Sequence, residues 1–493
     1  MAMRDLRDYL ASLEAVGELR RIDQEVDWRL EAGAIAARAN ETGAPAPLMT
    51  RIKGDPTGAS LLGSPLGFSA VSGKKHWRRT AIAMGLGPEA RFWDVVDEYI
   101  KRKVHPLRPN MVSEGVCQEN VIQGGALDLL SFPFPLIHEM DGGRYSSWHV
   151  NVNKDPDSAW VNWGLYRSMV YSRNRVCVQM LPNQHGPMLY YQKYEARGKP
   201  MPFCIVLGGD PLITLAAATR YPAGMSEVDI AGALRREPVA MVQAKTVDLM
   251  VPTNAEMVIE GMVHPTERLD EGPFEEYHGQ TAAPPLPQPV LRVTAITHRN
   301  NPIIPFTFSG AMKDDYSCTS SVISSAELTW SLRDKGLLPV RGVYCPPEAV
   351  DHVCIVSANM IYSNFPRQLS CAIFSERFGM HFDKVVICDR DVDPANASEV
   401  WQAIFHKMNP HRGVRKIEAA PGHALQAYLD PRERKAGAGA SVYLDTTWPL
   451  DWDAETEIMK KCSFSSIYPK EVQEKVLSRW MTDYGYARTE WED

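Results

Sequence analysis

Six residues between positions 162 and 276 could do chemistry: Asn162, Arg167, His185, Glu227, Glu271 and Glu276, in segments reading NWGLYR, PNQHG, GMSE and EGPFEEYHG. Residues of these types can supply metal ligands, a guanidinium fork for a carboxylate, and paired carboxyls for proton transfer. Taken singly, each has a plainer reading. Asn162 and Arg167 stand in an alternating stretch, Trp160 to Val170, where Trp163, Leu165 and Met169 share one face of a strand; an arginine there is ordinarily a rim residue. His185 lies in a turn-rich string, where a histidine is usually solvated. Glu227 follows Ser226 at a helix start, where a glutamate commonly serves the helix dipole. The run Glu271 to Glu276 reads equally as an acidic surface loop. Only the combination, in this order and spacing, goes beyond these readings.

In that combination the chain resembles the UbiD family of reversible (de)carboxylases, which use prenylated FMN. The likeness runs from the opening DLRDYLASLEAVGELRRI to KVVICDRDVDP near residue 390. It implies that Asn162, His185 and Glu227 hold a divalent metal against the flavin phosphate, and that Arg167, Glu271 and Glu276 face the substrate. It also places Gln184 at the cofactor, and Arg377 where some relatives carry a phosphate-binding lysine; read alone, Arg377 would be a surface arginine on an amphipathic helix.

The physical chemistry agrees with that assignment. Aryl and alkenyl carboxylates lose carbon dioxide reluctantly, because the electron pair left behind occupies an sp² orbital without a neighbouring sink, so a cofactor must accept it. The family's flavin carries an added ring with an iminium carbon, azomethine-ylide in character, that bonds to the substrate. The protein is left to place and to protonate. Arg167 is expected to grip the carboxylate through two parallel hydrogen bonds, with Glu271 holding that fork and balancing its charge. Glu276 is the expected proton donor, its pKa raised by burial and by the second carboxylate. Glu275, adjacent in an extended segment, points to the other face and falls outside the site.

The implied O, N, O ligand set fits Mn2+ or Mg2+ better than a thiolate-seeking metal, and leaves positions for phosphate oxygens and water. The family also binds K+ beside this ion through backbone carbonyls and a serine hydroxyl. The matching stretch is Ala216-Ala217-Ala218-Thr219, with Trp160 on the other strand; Ala217 stands in the serine's place, so only carbonyls are left for K+.

The elements that must position these groups belong to a long chain. At 493 residues, two or three domains are expected. Hydrophobic content of 44% and charged content of 23% are those of a globular protein, and a net charge of -7 argues against a nucleic-acid partner. The absence of an 18-residue apolar run and of an apolar N-terminal core points away from the membrane and towards a cytoplasmic location. Nine scattered cysteines without a CxxC pair read as buried apolar residues rather than disulfides or a zinc site.

The expected fold class is α/β (α+β), in three parts: an N-terminal α/β domain, 1–112; a split β-barrel, flavin-reductase-like domain binding prenylated FMN, 113–320; and a C-terminal α/β domain with an oligomerisation helix, 321–493. Leu6, Leu10, Leu13 and Val16 mark an opening amphipathic helix that ends near Gly17. A GxGxxA match at residues 85–90 is read as accidental, with Pro88 in the first turn of the helix carrying Phe92, Val95, Val96 and Tyr99. WHVNVN, WVNWGLYRSMVY and RVCVQML read as meandering strands, followed by a helical insertion at 211–236, and VLRVTAITHRNNPIIPFTF reads as a hairpin turning at Arg299. The acidic string from Asp389 reads as a strand-to-helix loop rather than a metal motif, because Asn396-Ala-Ser-Glu can cap a helix.

By the resemblance, the substrate pocket is walled by Leu181, Tyr277, Thr319, Ser320, His423 and Leu425. A histidine at position 423, where cinnamate-type relatives carry an aromatic, could bond a phenol hydroxyl or a ring N–H. That favours an aromatic or heteroaromatic acid of the indole, pyrrole or hydroxybenzoate kind over an acrylic acid. A metal-dependent hydrolase using Asn162, His185 and Glu227 to activate water is the alternative from another class. The family reading further implies carbon dioxide as the second product, a flavin prenyltransferase of the UbiX type as cofactor supplier, and a homodimer or larger assembly.

Overall fold

The computed structural model describes residues 3–71, 73, 75–281, 284–310, 313–422, 426–459 and 462–486. Its opening helix, Leu6–Ala15, begins where the Asp5 carboxylate accepts from Asp8 N, buries Leu6, Tyr9, Leu10 and Leu13, and is followed by Gly17 at φ +74°. Strands Leu19–Val26, Ala46–Ile52 and Ser60–Gly63 then form a small sheet. The GxGxxA stretch follows a helix, Arg78–Ala83, rather than a strand, which removes the dinucleotide reading. Pro88 is not in the next helix as expected. That helix, Phe92–Lys103, starts later, where the Asp94 carboxylate returns to the Arg91 N–H at 3.1 Å.

The central sheet has nine strands, eight of them in the order Arg144–Ser146, Ser168–Ser172, Arg175–Val178, Leu286–His298, Met257–Glu271, Met201–Leu207, His149–Lys154, Val161–Gly164, with Asn120–Gln123 pairing on Leu286–His298. All of its pairings are antiparallel. Its shape follows from one connection. Val161–Gly164 and Ser168–Ser172 lie six steps apart in this order, about 29 Å in a flat sheet at roughly 4.8 Å per step. The chain between Gly164 and Ser168 reaches at most about 15 Å. The sheet must therefore curl until its edges approach, and residues 165–167 bridge the seam. What the alternation predicts as one strand is thus two, with Arg167 in the break.

Two strands that the sequence reading does not identify, Met201–Leu207 and Met257–Glu271, lie next to each other inside this sheet, and Glu271 is the last residue of the longer one. The turn at Arg299 exists, but the strands it joins do not pair. Ile303–Phe306 leaves to lie parallel to Ser60–Gly63 in the N-terminal sheet, because its four residues are apolar and buried on both faces. The insertion forms the helices Pro211–Ala218 and Glu227–Arg235.

The last region is a five-stranded sheet in the order Val340–Tyr344, Val353–Ala358, Lys384–Asp389, Ala438–Asp445, Val414–Pro421. The inner pairs are parallel and the outer ones antiparallel. After Lys384–Asp389 a turn leads to the helix Ala397–His406, capped by Asn396. Asp389 pairs with Lys407 and Asp393 accepts from Trp93 Nε1, so the acidic string is the expected connector. Seven of the nine cysteines are buried, but Cys371 and Cys462 are exposed, against expectation. Cys371 lies on the helix Phe365–Ser375, whose buried side consists of Phe365, Pro366, Leu369, Ser370 and Ile373. The final helix, Lys470–Arg479, buries none of its residues. Among the described residues no helix is long and apolar enough to cross a membrane.

Candidate active site

Arg167, in the seam, meets two carboxylates. Its Nε and Nη2 donate to Glu271 Oε1 and Oε2 at 2.9 and 3.0 Å, and Nη1 donates to Glu276 Oε1. Glu271 is fixed from behind by the Tyr145 hydroxyl, which donates to Oε1 at 2.9 Å. The guanidinium stands 4.9 Å from the centre of the Phe274 ring. Side-chain exposure is 13% for Arg167, 2% for Glu271 and 13% for Glu276. Burial works against the Arg167 charge, but its hydrogen bonds to Glu271 and the charges of Glu276 and Glu271 outweigh it and raise its pKa. Burial also raises the Glu276 pKa, with Glu271 and Asp141 adding to the shift and Arg167 opposing it. One guanidinium between two carboxylates leaves a surplus negative charge in a sparingly hydrated place, and a proton on Glu276 removes it.

A glycine-rich turn supports the segment that carries Glu276. Gly142 N donates to Pro273 O at 2.8 Å, and Asp141 Oδ1 accepts from Glu275 N at 3.1 Å. A Cβ on Gly142 would lie 2.0 Å from Gly272 O, so only glycine allows this approach. Glu275 and Glu276 are extended and paired on Gln280–Thr281, which sends their side chains to opposite faces as expected.

The residues expected to hold the metal gather around the Tyr166 hydroxyl, which accepts from Gly186 N at 3.1 Å and from Asn162 Nδ2 at 3.3 Å. His185 is the first residue of a short helix, His185–Leu189, rather than a turn residue, and Gln184 is its N-cap. The His185 ring lies 5.2 Å from that of Trp160. Glu227 begins the helix Glu227–Arg235, but its side chain turns inward, where Oε2 accepts from Trp163 N at 2.9 Å. Burial pushes the Glu227 pKa up to about 8, against the Trp163 bond and Arg377. Burial, with Arg377, lowers His185 to about 4, which leaves the imidazole neutral at physiological pH. A neutral imidazole, an amide and a buried carboxyl that ionises only with help are donors suited to a hard divalent cation. Among the described residues no group of three His, Cys, Asp or Glu side chains could hold an ion, so the amide of Asn162 would be needed to complete this set.

Donors without acceptors stand in the same neighbourhood. Asn153, opposite Asn162 in the sheet, has a buried Nδ2 with no partner, as does Arg377 at Nε. Arg377 lies in a turn after the helix Phe365–Ser375, not on it, and its charge acts on His185, Glu227 and Tyr166. Unpaired buried donors are costly, and an anionic phosphate would satisfy them. Ala216 to Ala218 end the helix Pro211–Ala218 and Thr219 is its C-cap; Thr219 N donates to Ala216 O at 3.2 Å and Tyr221 N to Thr219 O at 3.1 Å.

The expected pocket wall is brought together only in part. Thr319 and Ser320, on the helix Asp315–Thr329, line a small open cleft with Arg220 and Phe378, although their hydroxyls are engaged, Thr319 to Asp315 O and Ser320 to Asp351. Tyr277 lines another small cleft with Arg220, Asp351, His278, His352 and His381. Arg220 serves both, donating to the Tyr316 hydroxyl at 2.8 Å and to Asp351 at 3.2 Å. Leu181 is exposed beside the turn before His185. His423 and Leu425 lie outside the described residues. The sequence reading does not reach Arg220, Asp351, Tyr145 or Asp141. Arg220 had one signal, a charge that closes the apolar run from Leu212 to Thr219.

Compared with known proteins, the chain matches three successive family models of 3-octaprenyl-4-hydroxybenzoate carboxy-lyase: its N-terminal domain over residues 10–99, its Rift-related domain over 110–312, and its C-terminal domain over 319–446. It is 32% identical over 496 residues to a pyrrole-2-carboxylic acid decarboxylase of Pseudomonas aeruginosa, with 98% of each chain covered. Among solved structures it is similar to the closed form of vanillic acid decarboxylase from Sedimentibacter hydroxybenzoicus, at TM-score 0.86 and 28% identity over 98% of this chain and 100% of that one. It is also similar to an evolved dimeric form of the UbiD-class enzyme HmfF from Pelotomaculum thermopropionicum in complex with prFMN, at TM-score 0.78 and 26% identity over 92% and 97% of the two chains.

Proposed function

The chain belongs to the UbiD family of carboxy-lyases, and from that premise we propose that it decarboxylates, reversibly and without net oxidation, an aromatic or heteroaromatic acid of the indole, pyrrole or hydroxybenzoate kind. The observation that carries the proposal is the buried triad of Arg167, Glu271 and Glu276 across the seam of the sheet. The relatives named for pyrrole-2-carboxylic and vanillic acid support a ring acid over an acrylic one.

On this reading Asn162, His185 and Glu227 hold Mn2+ or Mg2+ at the cofactor phosphate, with Gln184 and Arg377 as further cofactor contacts and K+ at the carbonyls near Ala217. Prenylated FMN, when bound, supplies the electron sink that the departing carbon dioxide requires. The chain's own residues do the rest. Arg167 has five N–H groups, of which three serve the glutamates, and the other two remain for a substrate carboxylate. Glu271 and Tyr145 keep the fork from turning. Glu276, when protonated, relaxes its hold on Nη1 and carries the proton that the substrate carbon receives once the C–C bond has broken. It ends the turnover as a carboxylate beside Arg167. Because the substrate brings another negative charge to the triad, its binding and proton uptake by Glu276 favour each other. A UbiX-type prenyltransferase as cofactor source and a homodimer or larger assembly belong to the same reading.

The test is the absorption spectrum and released-cofactor mass of protein made with and without a co-expressed flavin prenyltransferase, followed by carbon dioxide release from a panel of aromatic acids. The expected result is a prenylated flavin mass and activity that depends on the prenyltransferase. Activity surviving on metal alone, with no flavin of either kind, would overturn the proposal.

A further inference from the structure

On the far side of the Glu276 segment stands a second set of polar groups, and it contains an Asp–His pair. His138 Nδ1 lies 3.1 Å from Asp141 Oδ2, and the same carboxylate accepts from His138 N at 3.0 Å and, through Oδ1, from Glu275 N at 3.1 Å. The Asp141 side chain is fully buried and that of His138 is 13% exposed. A carboxylate so placed holds the ring with its proton on Nδ1, which leaves Nε2 free to take up and release another. Nε2 is buried, has no hydrogen-bond partner, and lies 4.0 Å from Glu275 Oε2, whose side chain is 34% exposed. The titratable and charged groups facing this pair are Glu275 on the strand Glu275–Glu276, Glu276 with Glu271 and Arg167 behind it, and Tyr145; its ring neighbours are Phe274 and Phe308.

This inference rests on Glu276 as the proton donor. Each decarboxylation then converts a carboxylate and one proton to product and carbon dioxide, and Glu276 must recover that proton from water although only 13% of its side chain is exposed. We propose that His138, oriented by Asp141, and the half-exposed Glu275 form the path by which solvent protons return to Glu276. Glu275 meets water at the rim, and Nε2 of His138 receives the proton there. The Asp141 carboxylate stabilises the imidazolium that results. Among the described residues the carboxylates within 4.0 Å of His138 are Asp141 and Glu275, so water must carry the proton on to Glu276, whose basicity Asp141 also increases, and the neutral ring is restored. In carboxylation the same groups carry the proton outward. His138 touches neither substrate nor cofactor on this account and acts through Glu276.

The experiment uses holoenzyme carrying His138→Gln, Glu275→Gln or Glu276→Gln. For His138→Gln, kcat is expected to fall by about tenfold or more above neutral pH, where protons are scarce, with KM within about twofold. Small carboxylic acid buffers should restore kcat in proportion to their concentration, and Glu275→Gln should give a milder form of the same defect. In cofactor-free protein, deuterium exchange at the Glu276 carboxyl, followed through its infrared C=O stretch, should slow in His138→Gln. Unchanged kcat at every pH, or a loss that buffer does not rescue and that comes with a lower melting temperature, would overturn the relay. If Glu276→Gln is inactive while His138→Gln and Glu275→Gln behave as the native enzyme, the relay fails alone. If Glu276→Gln still turns over, the donor assignment fails first.

Discussion

On the proposed reading, the guanidinium held between two carboxylates makes the protonation of Glu276 the event on which turnover depends. Glu276→Gln is expected to lower kcat by about 100-fold or more while the cofactor stays bound, as read by its absorbance. The Glu276 pKa is raised, and with the protonated form as the proposed proton donor kcat/KM should fall as pH rises through that pKa, and the fall should shift when Glu271 is replaced. The sign for stability is the same. A carboxyl whose pKa is raised on folding contributes stability below its unfolded pKa and loses it as pH rises through the folded one, so as pH rises from 4.5 through the raised pKa the melting temperature of Glu276→Gln should decline less than that of the native protein. Arg167→Lys keeps the charge but not the fork, and is expected to reduce kcat/KM by about 100-fold. The six residues were legible in the sequence because their types and order are distinctive. Tyr145 and Asp141 were not, because nothing local marks a tyrosine or an aspartate as the support of a glutamate more than a hundred residues away.

Among the elements, the turn at Gly142 and the strand break at Arg167 do most to set the site. Gly142→Ala would bring a methyl group to 2.0 Å from Gly272 O and push away the segment that carries Glu276. The expected outcome is a folded protein with normal cofactor loading and a kcat reduced by about tenfold or more, measured beside a melting curve. The turn at Val350 and Asp351, where both residues take left-handed backbone angles, presents Asp351 to Arg220, Tyr316 and Ser320. Asp351→Asn leaves Arg220 without its charge partner and should cost about 3 kcal/mol, read as a lower denaturant midpoint at unchanged slope. Periodicity found the opening helix and several strands, because a half-buried element records its period in its residues. It ran two strands together across the seam, since apolar residues recur at Trp163, Leu165 and Met169 with Arg167 the one break, and it missed Met201–Leu207, an apolar run with no period to read.

For the whole molecule, the C-terminal segment is the part that its own chain does least to explain. The helix Lys470–Arg479 buries no residue, and Val472, Leu477 and Met481 are 41%, 50% and 59% exposed. On the proposed reading this face packs against another copy of the chain. Removing residues 463–493 should then lower the mass measured by light scattering to that of a smaller assembly or the monomer; an unchanged mass would place the interface elsewhere.

The sequence by itself determined the family and singled out the six residues on which the proposed chemistry depends, because residue type and order survive without any knowledge of packing. Only the tertiary structure decided that the edges of the central sheet approach at Arg167, that Ile303–Phe306 belongs to the N-terminal sheet, and that His138 stands beside Glu275. The reason is physical. Strand order, sheet curl and the approach of distant loops are set by non-local contacts, and a contact between residues 138 and 275 leaves no mark on the neighbours of either.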